Sequence, residues 1–152
     1  MKTAIFCISV HHGNTAKLAE AARETLGADL YKVEQLSPEL LENYELVGFF
    51  SGIYKFSHHD DLIAAVKKLP PQDGKKALIA STSGSGKPVF HKKLAAALGD
   101  KGFTVIGEYA CRSFITFGPF GLFGGLNKGK PDERDLAEAS AYFQTLAQDQ
   151  VE

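Results

Sequence analysis

The chain has 152 residues, of which 44% are hydrophobic and 23% charged, a composition that suits one globular domain with a full core and excludes a disordered chain. Its 17 basic and 18 acidic residues give a net charge of −1 with no basic stripe, so nucleic acid is not expected as a partner. The apolar runs are too short to span a bilayer and the N-terminus lacks the layout of a signal peptide, so we expect no membrane association and a cytoplasmic location.

Apolar runs alternate with amphipathic runs along the whole chain. Residues 2–10 and 29–33 are predicted as the first two strands, with an amphipathic helix over 15–26 between them. Ser37 and Pro38 then begin a short helical turn, with Ser as the cap and Pro at the first helical position.

The second half of the chain continues the same alternation. A third strand is predicted over 46–50, and the helix after it is expected to begin at a cap formed by Asp60 or Asp61. The remaining predicted elements are a fourth strand over 76–81, a helix over 88–98, a fifth strand over 103–111 and a final helix beginning at 131–133.

Strands that alternate with helices form parallel βαβ units with right-handed crossovers. The pattern therefore predicts an α/β fold in a single domain over residues 1–152, a three-layer, doubly wound, five-stranded parallel sheet in the order 2-1-3-4-5. This order has its switch point between strands one and three. The turns at 9–15, 51–57 and 82–88 follow strands one, three and four, so all three should open at one edge near that point.

The turn after the first strand carries the strongest ligand signal. Residues 9–15 read Ser-Val-His-His-Gly-Asn-Thr and lie between a predicted strand and a predicted helix. A helix N-terminus has unpaired N–H groups and partial positive charge, so it can bind an anion without Lys or Arg. We interpret the turn as a phosphate cradle, and the alternative is an ordinary turn in which Thr15 is the helix N-cap.

Residues 12–15, His-Gly-Asn-Thr, resemble the end of the flavodoxin phosphate loop, which usually reads hydroxyl-x-Thr-Gly-Asn-Thr/Ser. The last three positions match, whereas His12 replaces the usual Thr, and Ser9 can supply the first hydroxyl with a shift of one residue. Residues 44–54 also resemble the flavodoxin-like superfamily. The motifs Gly-Pro-Phe and Gly-Gly-Leu-Asn-Lys-Gly within 118–129 resemble a subgroup of short flavodoxin-like proteins.

The resemblance implies a flavodoxin-like fold, FMN as the cofactor, and electron transfer to an unidentified redox partner protein. Tyr54 and Phe56 are the candidate walls for the flavin ring, with core packing as the alternative for Phe56. Simple electron transfer needs no catalytic acid or base, because the flavin carries the redox chemistry. The residues expected to bind FMN are Ser9, Val10, His11, His12, Gly13, Asn14, Thr15, Ser51, Gly52, Ile53, Tyr54, Phe56, Thr82, Ser83, Gly84, Ser85 and Gly86.

Two other functions stay open beside the electron carrier. One is an FMN-dependent NAD(P)H quinone or nitro-compound reductase, and the other is a flavin-less interaction module. A Gly-x-Gly-x-x-Gly dinucleotide fingerprint after the first strand is absent. No metal is expected, because adjacent histidines such as His11-His12 and His58-His59 rarely ligate one ion and no Cys or carboxylate cluster completes a site.

Residues 112–130 form a long predicted loop with five Gly and four Phe. Loops of this length are uncommon in compact domains and usually functional. The Phe side chains could pack against one another within the loop. We predict instead that some of them form a lip, an apolar edge beside the flavin, that also contacts a partner. A homodimer is one form of that contact. The Phe side chains of this loop are Phe114, Phe117, Phe120 and Phe123.

The two cysteines are predicted not to form a disulfide. Cys7 lies in the first strand and Cys111 in the fifth, with strands three and four between them. At about 4.8 Å per strand the two residues should be too far apart to bridge.

Overall fold

The computed structural model describes residues 1–9, 13–114 and 124–151. Within these ranges the strands are β1 (Thr3–Ile8), β2 (Asp29–Lys32), β3 (Leu46–Tyr54), β4 (Ser57–His58), β5 (Lys76–Ser83) and β6 (Thr104–Arg112). The α-helices are α1 (Asn14–Leu26), α2 (Pro38–Leu41), α3 (Asp60–Lys67), α4 (Lys92–Asp100) and α5 (Glu133–Asp149). Short 3₁₀ turns cover Val33–Gln35 and Pro88–His91.

Five of the strands form a parallel sheet in the order β2-β1-β3-β5-β6. The predicted order 2-1-3-4-5 is therefore confirmed for the parallel strands, since β5 and β6 are the predicted fourth and fifth. A further two-residue strand, β4, pairs antiparallel with the end of β3 and was not predicted from the sequence. The fold is an α/β sheet with helices on both faces, of the flavodoxin-like type.

Each face of the sheet has its own apolar core. On one face α1 and α5 pack over the sheet, where the rings of Phe50 and Phe143 have centroids 6.0 Å apart. On the other face α3 and α4 cover an aromatic layer in which Phe6 stacks on Tyr31 and Phe49 meets Phe103 edge-on. Burial of the strands on both sides explains why they are nearly continuous apolar runs in the sequence.

β3 and β5 extend further toward the carboxyl edge than the sequence indicated, whereas β1, predicted to residue 10, ends at Ile8. β3 continues past the predicted end at Phe50 to Tyr54, because its last residues pair with β4. β5 continues to Ser83, which pairs with Arg112. Residues predicted as loop are thus held in the sheet, so their backbone is fixed at the edge where the turns meet.

The predicted cap of α3 was wrong. The N-cap is His59, whose Nδ1 accepts a hydrogen bond from the Asp61 N–H at 3.0 Å. The two aspartates instead occupy the first turn, where their negative charge interacts favourably with the partial positive charge of the helix N-terminus. No helix in the described part of the chain is both long and apolar enough to cross a bilayer.

Candidate functional site

Three chain turns meet at the carboxyl edge of the sheet. The parallel pairing places Ile8 beside Ser51 and Gly52 beside Thr82. The turns that leave β1, β3 and β5 are therefore neighbours, as the topology predicts for the switch point between β1 and β3. This edge contains the described members of the predicted FMN site, whereas Val10, His11 and His12 lie outside the described residues.

Gly13 sets the conformation of the β1–α1 turn. It is the residue before α1 and has φ 65° and ψ 23°, in the left-handed region that glycine favours. A Cβ built at this position would have nothing within 4 Å among the described atoms. The turn thus depends on Gly13 for its backbone angles, and no described atom crowds the position of a side chain there.

The hydroxyl of Ser9 closes the same turn from the other side. Its Oγ accepts a hydrogen bond from the Ala16 N–H at 3.2 Å, which satisfies one of the free donors of the first turn of α1. The Ser9 O–H can still donate to a ligand. Ser9 therefore lies where a hydroxyl of the phosphate loop would be useful, one residue earlier than the resemblance places it.

Thr15 does not cap α1, so its predicted role as N-cap was wrong; the N-cap is Gly13. The Thr15 Oγ1 lies 2.8 Å from the Oγ1 of Thr82, and both side chains are buried. This hydrogen bond ties the first turn of α1 to the end of β5. It joins the turn after β1 to the turn after β5 through the protein's own side chains.

Asn14 has a buried polar atom with an unused bonding capacity. Its Nδ2 donates to the Phe114 carbonyl at 2.8 Å, but its buried Oδ1 has no hydrogen-bond partner in the described structure. A buried acceptor without a donor costs roughly 1–3 kcal/mol. The arrangement fits a ligand hydroxyl or N–H that would donate to this oxygen.

The residues at the end of β3 turn mainly inward. The Ser51 hydroxyl donates to the Gly52 carbonyl at 2.7 Å and accepts from the His59 N–H at 3.1 Å, so it is committed to the protein itself. A Cβ at Gly52 would lie 2.8 Å from the Tyr54 hydroxyl oxygen, because the Tyr54 ring folds back over this glycine. Ile53 and Tyr54 are half-buried.

Phe56 stands at the tip of a two-residue hairpin between β3 and β4. Lys55 and Phe56 have φ of 51° and 67°, as both central residues of a type I′ turn require. The Phe56 side chain is 81% exposed, so it is not part of the core, and its ring centroid lies 5.8 Å from that of Phe90. A bulky residue in this strained conformation is a candidate for a functional role.

The turn after β5 is held by its own hydroxyl and by a distant segment. Thr82 and Ser83 are buried, and the Ser83 Oγ accepts from the Gly86 N–H at 2.9 Å. The Gly84 carbonyl accepts from the Nδ2 of Asn127 at 2.8 Å, while the side chain of Ser85 is exposed. These contacts fix the backbone of residues 82–86, which are among the residues expected to bind FMN.

Gly86 in this turn has no space for a side chain. A Cβ would lie 2.9 Å from the Arg112 backbone nitrogen, and φ is 64°. Both the close approach and the left-handed backbone require glycine.

A buried histidine cluster behind these turns was not predicted from the sequence. The rings of His58 and His91 have centroids 4.8 Å apart. His91 Nε2 lies 2.6 Å from the Ser81 Oγ, and its Nδ1 lies 3.0 Å from Glu108 Oε1. No spacing rule brings these residues together, because they come from β4, β5, β6 and the turn before α4.

The pKa of each imidazole is lowered. Burial, helped by repulsion from His91, lowers the pKa of His58 to about 3. Burial also lowers the pKa of His91, although the Glu108 carboxylate opposes this. His58 Nε2 bonds to the Ala80 carbonyl at 3.1 Å, and its buried Nδ1 has no partner among the described groups.

The order of bonds in Ser81, His91 and Glu108 is that of a hydrolase triad. Ser81 is completely buried, so a substrate carbonyl cannot reach its hydroxyl. We therefore read this network as structural, a polar support under the turn after β5. Within the described residues no three His, Cys, Asp or Glu side chains are placed to hold a metal ion.

The cysteines are unpaired and protonated. Cys7 and Cys111 are both free thiols, and β3 and β5 lie between their strands. Burial raises the pKa of each thiol to about 12. Neither cysteine is therefore a reactive nucleophile near neutral pH.

The Gly- and Phe-rich loop is described only at its two ends. The Phe114 N–H donates to the Lys130 carbonyl at 2.9 Å, which closes the base of the loop. Phe117, Phe120 and Phe123 lie outside the described residues. The predicted lip and the homodimer contact through this loop stay predictions.

Similar solved structures share the fold over nearly the full chain at low identity. A flavodoxin from the domain Archaea has a TM-score of 0.65 and 16% identity, with 98% of each chain covered. Oxidised Flavodoxin 1 from Bacillus cereus has a TM-score of 0.66 and 15% identity, with 97% of this chain and 98% of that chain covered. The Fusobacterium nucleatum flavodoxin bound to flavin mononucleotide has a TM-score of 0.67 and 14% identity, with 99% of each covered. At these identities the likeness shows a flavodoxin-like fold.

Sequence comparison gives a much nearer relative. No family model matches the chain. Uncharacterized protein MJ0298 from Methanocaldococcus jannaschii is 42% identical over 148 residues, which cover 96% of this chain and 98% of that protein. The chain therefore belongs to the same family as this Methanocaldococcus jannaschii protein, and its own fold is flavodoxin-like.

Proposed function

We propose that this protein binds FMN at the carboxyl edge of its sheet and acts as a flavodoxin-like electron carrier. The observation that supports this most is the buried Oδ1 of Asn14, which has no partner among the described residues, beside the N-terminus of α1. It is an acceptor at the edge where doubly wound sheets bind their ligands. Solved flavodoxins with the same fold, one of them bound to flavin mononucleotide, support the choice of ligand.

The phosphate end would be held by groups already in place. The N–H groups at the start of α1 and the helix dipole favour an anion. The Ser9 hydroxyl has a proton to donate, and the Asn14 Oδ1 can accept one from a hydroxyl of the ribityl chain. Thr15 and Thr82 act indirectly, since their hydrogen bond fixes the two turns relative to each other.

The ring end would be formed by the hairpin and the turn after β5. Phe56 is exposed and free to stack on a flat ring, and such a contact contributes about 0.5–1.5 kcal/mol beyond area burial. The flavin, when bound, supplies one- and two-electron chemistry, and the protein's residues bind it, orient it and limit its contact with water.

The first test is the cofactor itself. The purified protein should be yellow, and the molecule released on denaturation should match FMN by mass and by chromatography. Protein stripped of flavin should rebind FMN roughly a hundredfold more tightly than riboflavin, because riboflavin lacks the charged group that the α1 N-terminus would hold. A colourless protein that takes up no FMN in titration would contradict the proposal and favour the flavin-less interaction module.

The reductase alternative is tested with the same preparation. The carrier should oxidise NAD(P)H in the presence of a quinone or nitro compound only when a separate reductase is added. Rapid oxidation by the flavin-loaded protein alone would favour the reductase instead.

A further inference from the structure

A groove beside the proposed flavin edge has an apolar floor and a basic rim. Its volume is about 510 Å³, and its lining residues come from the turn before α4, from α4 and from β6. Val89, in its floor, is 51% exposed, which is high for an apolar side chain. The lining residues are Lys87, Pro88, Val89, Lys92, Ala95 and Glu108.

The positive charge of this surface comes from a local run of lysines. Residues 87–93 contain three Lys and no Asp or Glu, although the whole protein has a net charge of −1. Lys87 and Lys92 are exposed, and neither forms an ion pair within the described residues. Glu108 is the one acid of the lining; its carboxylate bonds to His91, and the two lysines of the lining outnumber it.

The groove is continuous with the proposed ring position. Lys87 follows Gly86 directly, and Arg112 packs against that glycine to add a further exposed cation. Phe90, from the same turn as the groove floor, contacts the exposed ring of Phe56. A protein seated in the groove would therefore lie close to the flavin edge.

We infer that this groove docks an electron-transfer partner whose contact surface has acidic side chains around an apolar centre. The inference rests on the proposed function, because the nearby flavin makes the docked partner a redox partner. A localised basic rim steers an acidic surface during diffusional encounter, even when the net charge of the protein is near zero. The apolar floor then gives a contact from which water is excluded.

The test compares two charge reversals of equal size. The first variant is Lys87→Glu with Lys92→Glu, at the groove. The control is Lys67→Glu with Lys68→Glu, two exposed residues at the far end of α3, which runs from the carboxyl edge to the opposite edge of the sheet. The probes are an acidic two-iron ferredoxin and a basic c-type cytochrome, and binding to each is measured by calorimetry at low and high salt.

The wild-type protein should bind the ferredoxin more tightly than the cytochrome, and high salt should weaken that binding. The groove variant should lose about tenfold in ferredoxin affinity, the size expected when exposed ion pairs are replaced by repulsion, while the control pair stays close to wild type. Tighter binding of the cytochrome, or equal losses in both variants, would overturn the inference. Sedimentation that shows a dimer only with the wild-type groove would also overturn it, in favour of a second copy as the occupant.

Flavin content separates this inference from the proposed function. Lys87 and Lys92 are outside the predicted FMN site, so both double variants should retain wild-type flavin content. The protein could take up no flavin and still bind ferredoxin at the groove in a salt-sensitive way. That result would support the docking surface and contradict the proposed function as an electron carrier. Full flavin binding without any preference for the acidic probe would sustain the carrier and contradict the docking surface.

Discussion

The β1–α1 turn and the β3–β4 hairpin form the two ends of the candidate site, and they are built in opposite ways. Among the described residues of the turn, Asn14 and Thr15 are buried, with Thr15 hydrogen-bonded to Thr82 and Asn14 to the Phe114 carbonyl. The hairpin holds Phe56 in a left-handed conformation with 81% of its side chain exposed. The turn is ordered by hydrogen bonds within the protein. The hairpin instead holds Phe56 in an unfavourable conformation that no described hydrogen bond of the turn accounts for.

The difference bears on how each end would recognise a ligand. A preorganised polar turn binds an anion with little further ordering, which favours affinity. A strained turn with an exposed ring retains unfavourable energy until something covers the ring. The turn should therefore determine how tightly the flavin would bind. At the hairpin, Phe56 should lower the stability of the protein and strengthen binding by contacting the flavin ring.

The largest effect is expected at Gly13. Gly13→Val places a β-branched residue at φ 65°, where an ordinary side chain costs roughly 1–2 kcal/mol. The strain should move the N–H groups of the α1 N-terminus and lower FMN affinity by more than about tenfold. Flavin titration of stripped protein measures this loss.

Gly13→Asn is the matched control for that variant. Asn tolerates the left-handed region better than Val, and the space around residue 13 is open, so this variant should lose far less affinity. Equal affinity for FMN in the Val variant and the wild type would exclude the turn as the phosphate site.

The turn and the hairpin also differ in how far the sequence predicts them. The β1–α1 turn follows from local rules, since an apolar strand, a Gly and an amphipathic helix specify it within residues 2–26. The strand order follows in the same way from alternating elements. The hairpin does not follow, because Lys55-Phe56 lacks the Asn-Gly or Asp-Gly pair typical of a type I′ turn.

Contacts between side chains that are far apart in the chain were also not predicted from the sequence. From the sequence, Thr15 fits the position of a helix cap. Its partner Thr82 comes from the end of β5, which the folded sheet brings close to the start of α1. His58 follows an exposed turn yet is completely buried, because the short strand β4 folds it under β5. Such contacts depend on tertiary packing, which a periodicity pattern does not contain.

The second prediction concerns acid stability at the hairpin's base. The folded pKa of His58, about 3, is below the unfolded value near 6.5, so the unfolded state binds more protons between these values. Stability should be fully present above about pH 6.5 and fall as the pH drops toward 3, with a loss of about 2 kcal/mol at pH 5. Urea unfolding at several pH values measures it.

A His58→Asn variant isolates this residue from the rest of the acid response. The variant should be less stable at neutral pH but should show a much flatter dependence between pH 6.5 and 4.5. His91, whose pKa is also lowered by burial, leaves part of the slope in place. An unchanged slope in the variant would show that His58 titrates normally in the folded protein.

The third prediction tests the bond that joins the turns. Thr15→Val replaces the hydroxyl with a methyl group and leaves the side chain nearly equal in size. The buried Thr82 hydroxyl then lacks its partner, which should cost about 1–2 kcal/mol of stability. The double variant Thr15→Val with Thr82→Val should cost less than the sum of the two single changes, because neither hydroxyl is then left alone. Additive costs in the four urea titrations would show that the hydroxyls do not interact.

The smallest effect should come from Phe56, and it should have opposite signs for stability and binding. Phe56→Gly removes the strain at φ 67°, so the free energy of unfolding should rise by about 0.5–1 kcal/mol even after loss of the Phe90 contact. The same change removes a candidate ring wall and should weaken FMN binding about fivefold. Phe56→Tyr retains both the ring and the strain, so it should leave stability and affinity close to wild type. A glycine variant that is less stable than wild type and binds FMN equally well would mean that Phe56 supports the hairpin itself, and the comparison between the two ends of the site would then fail.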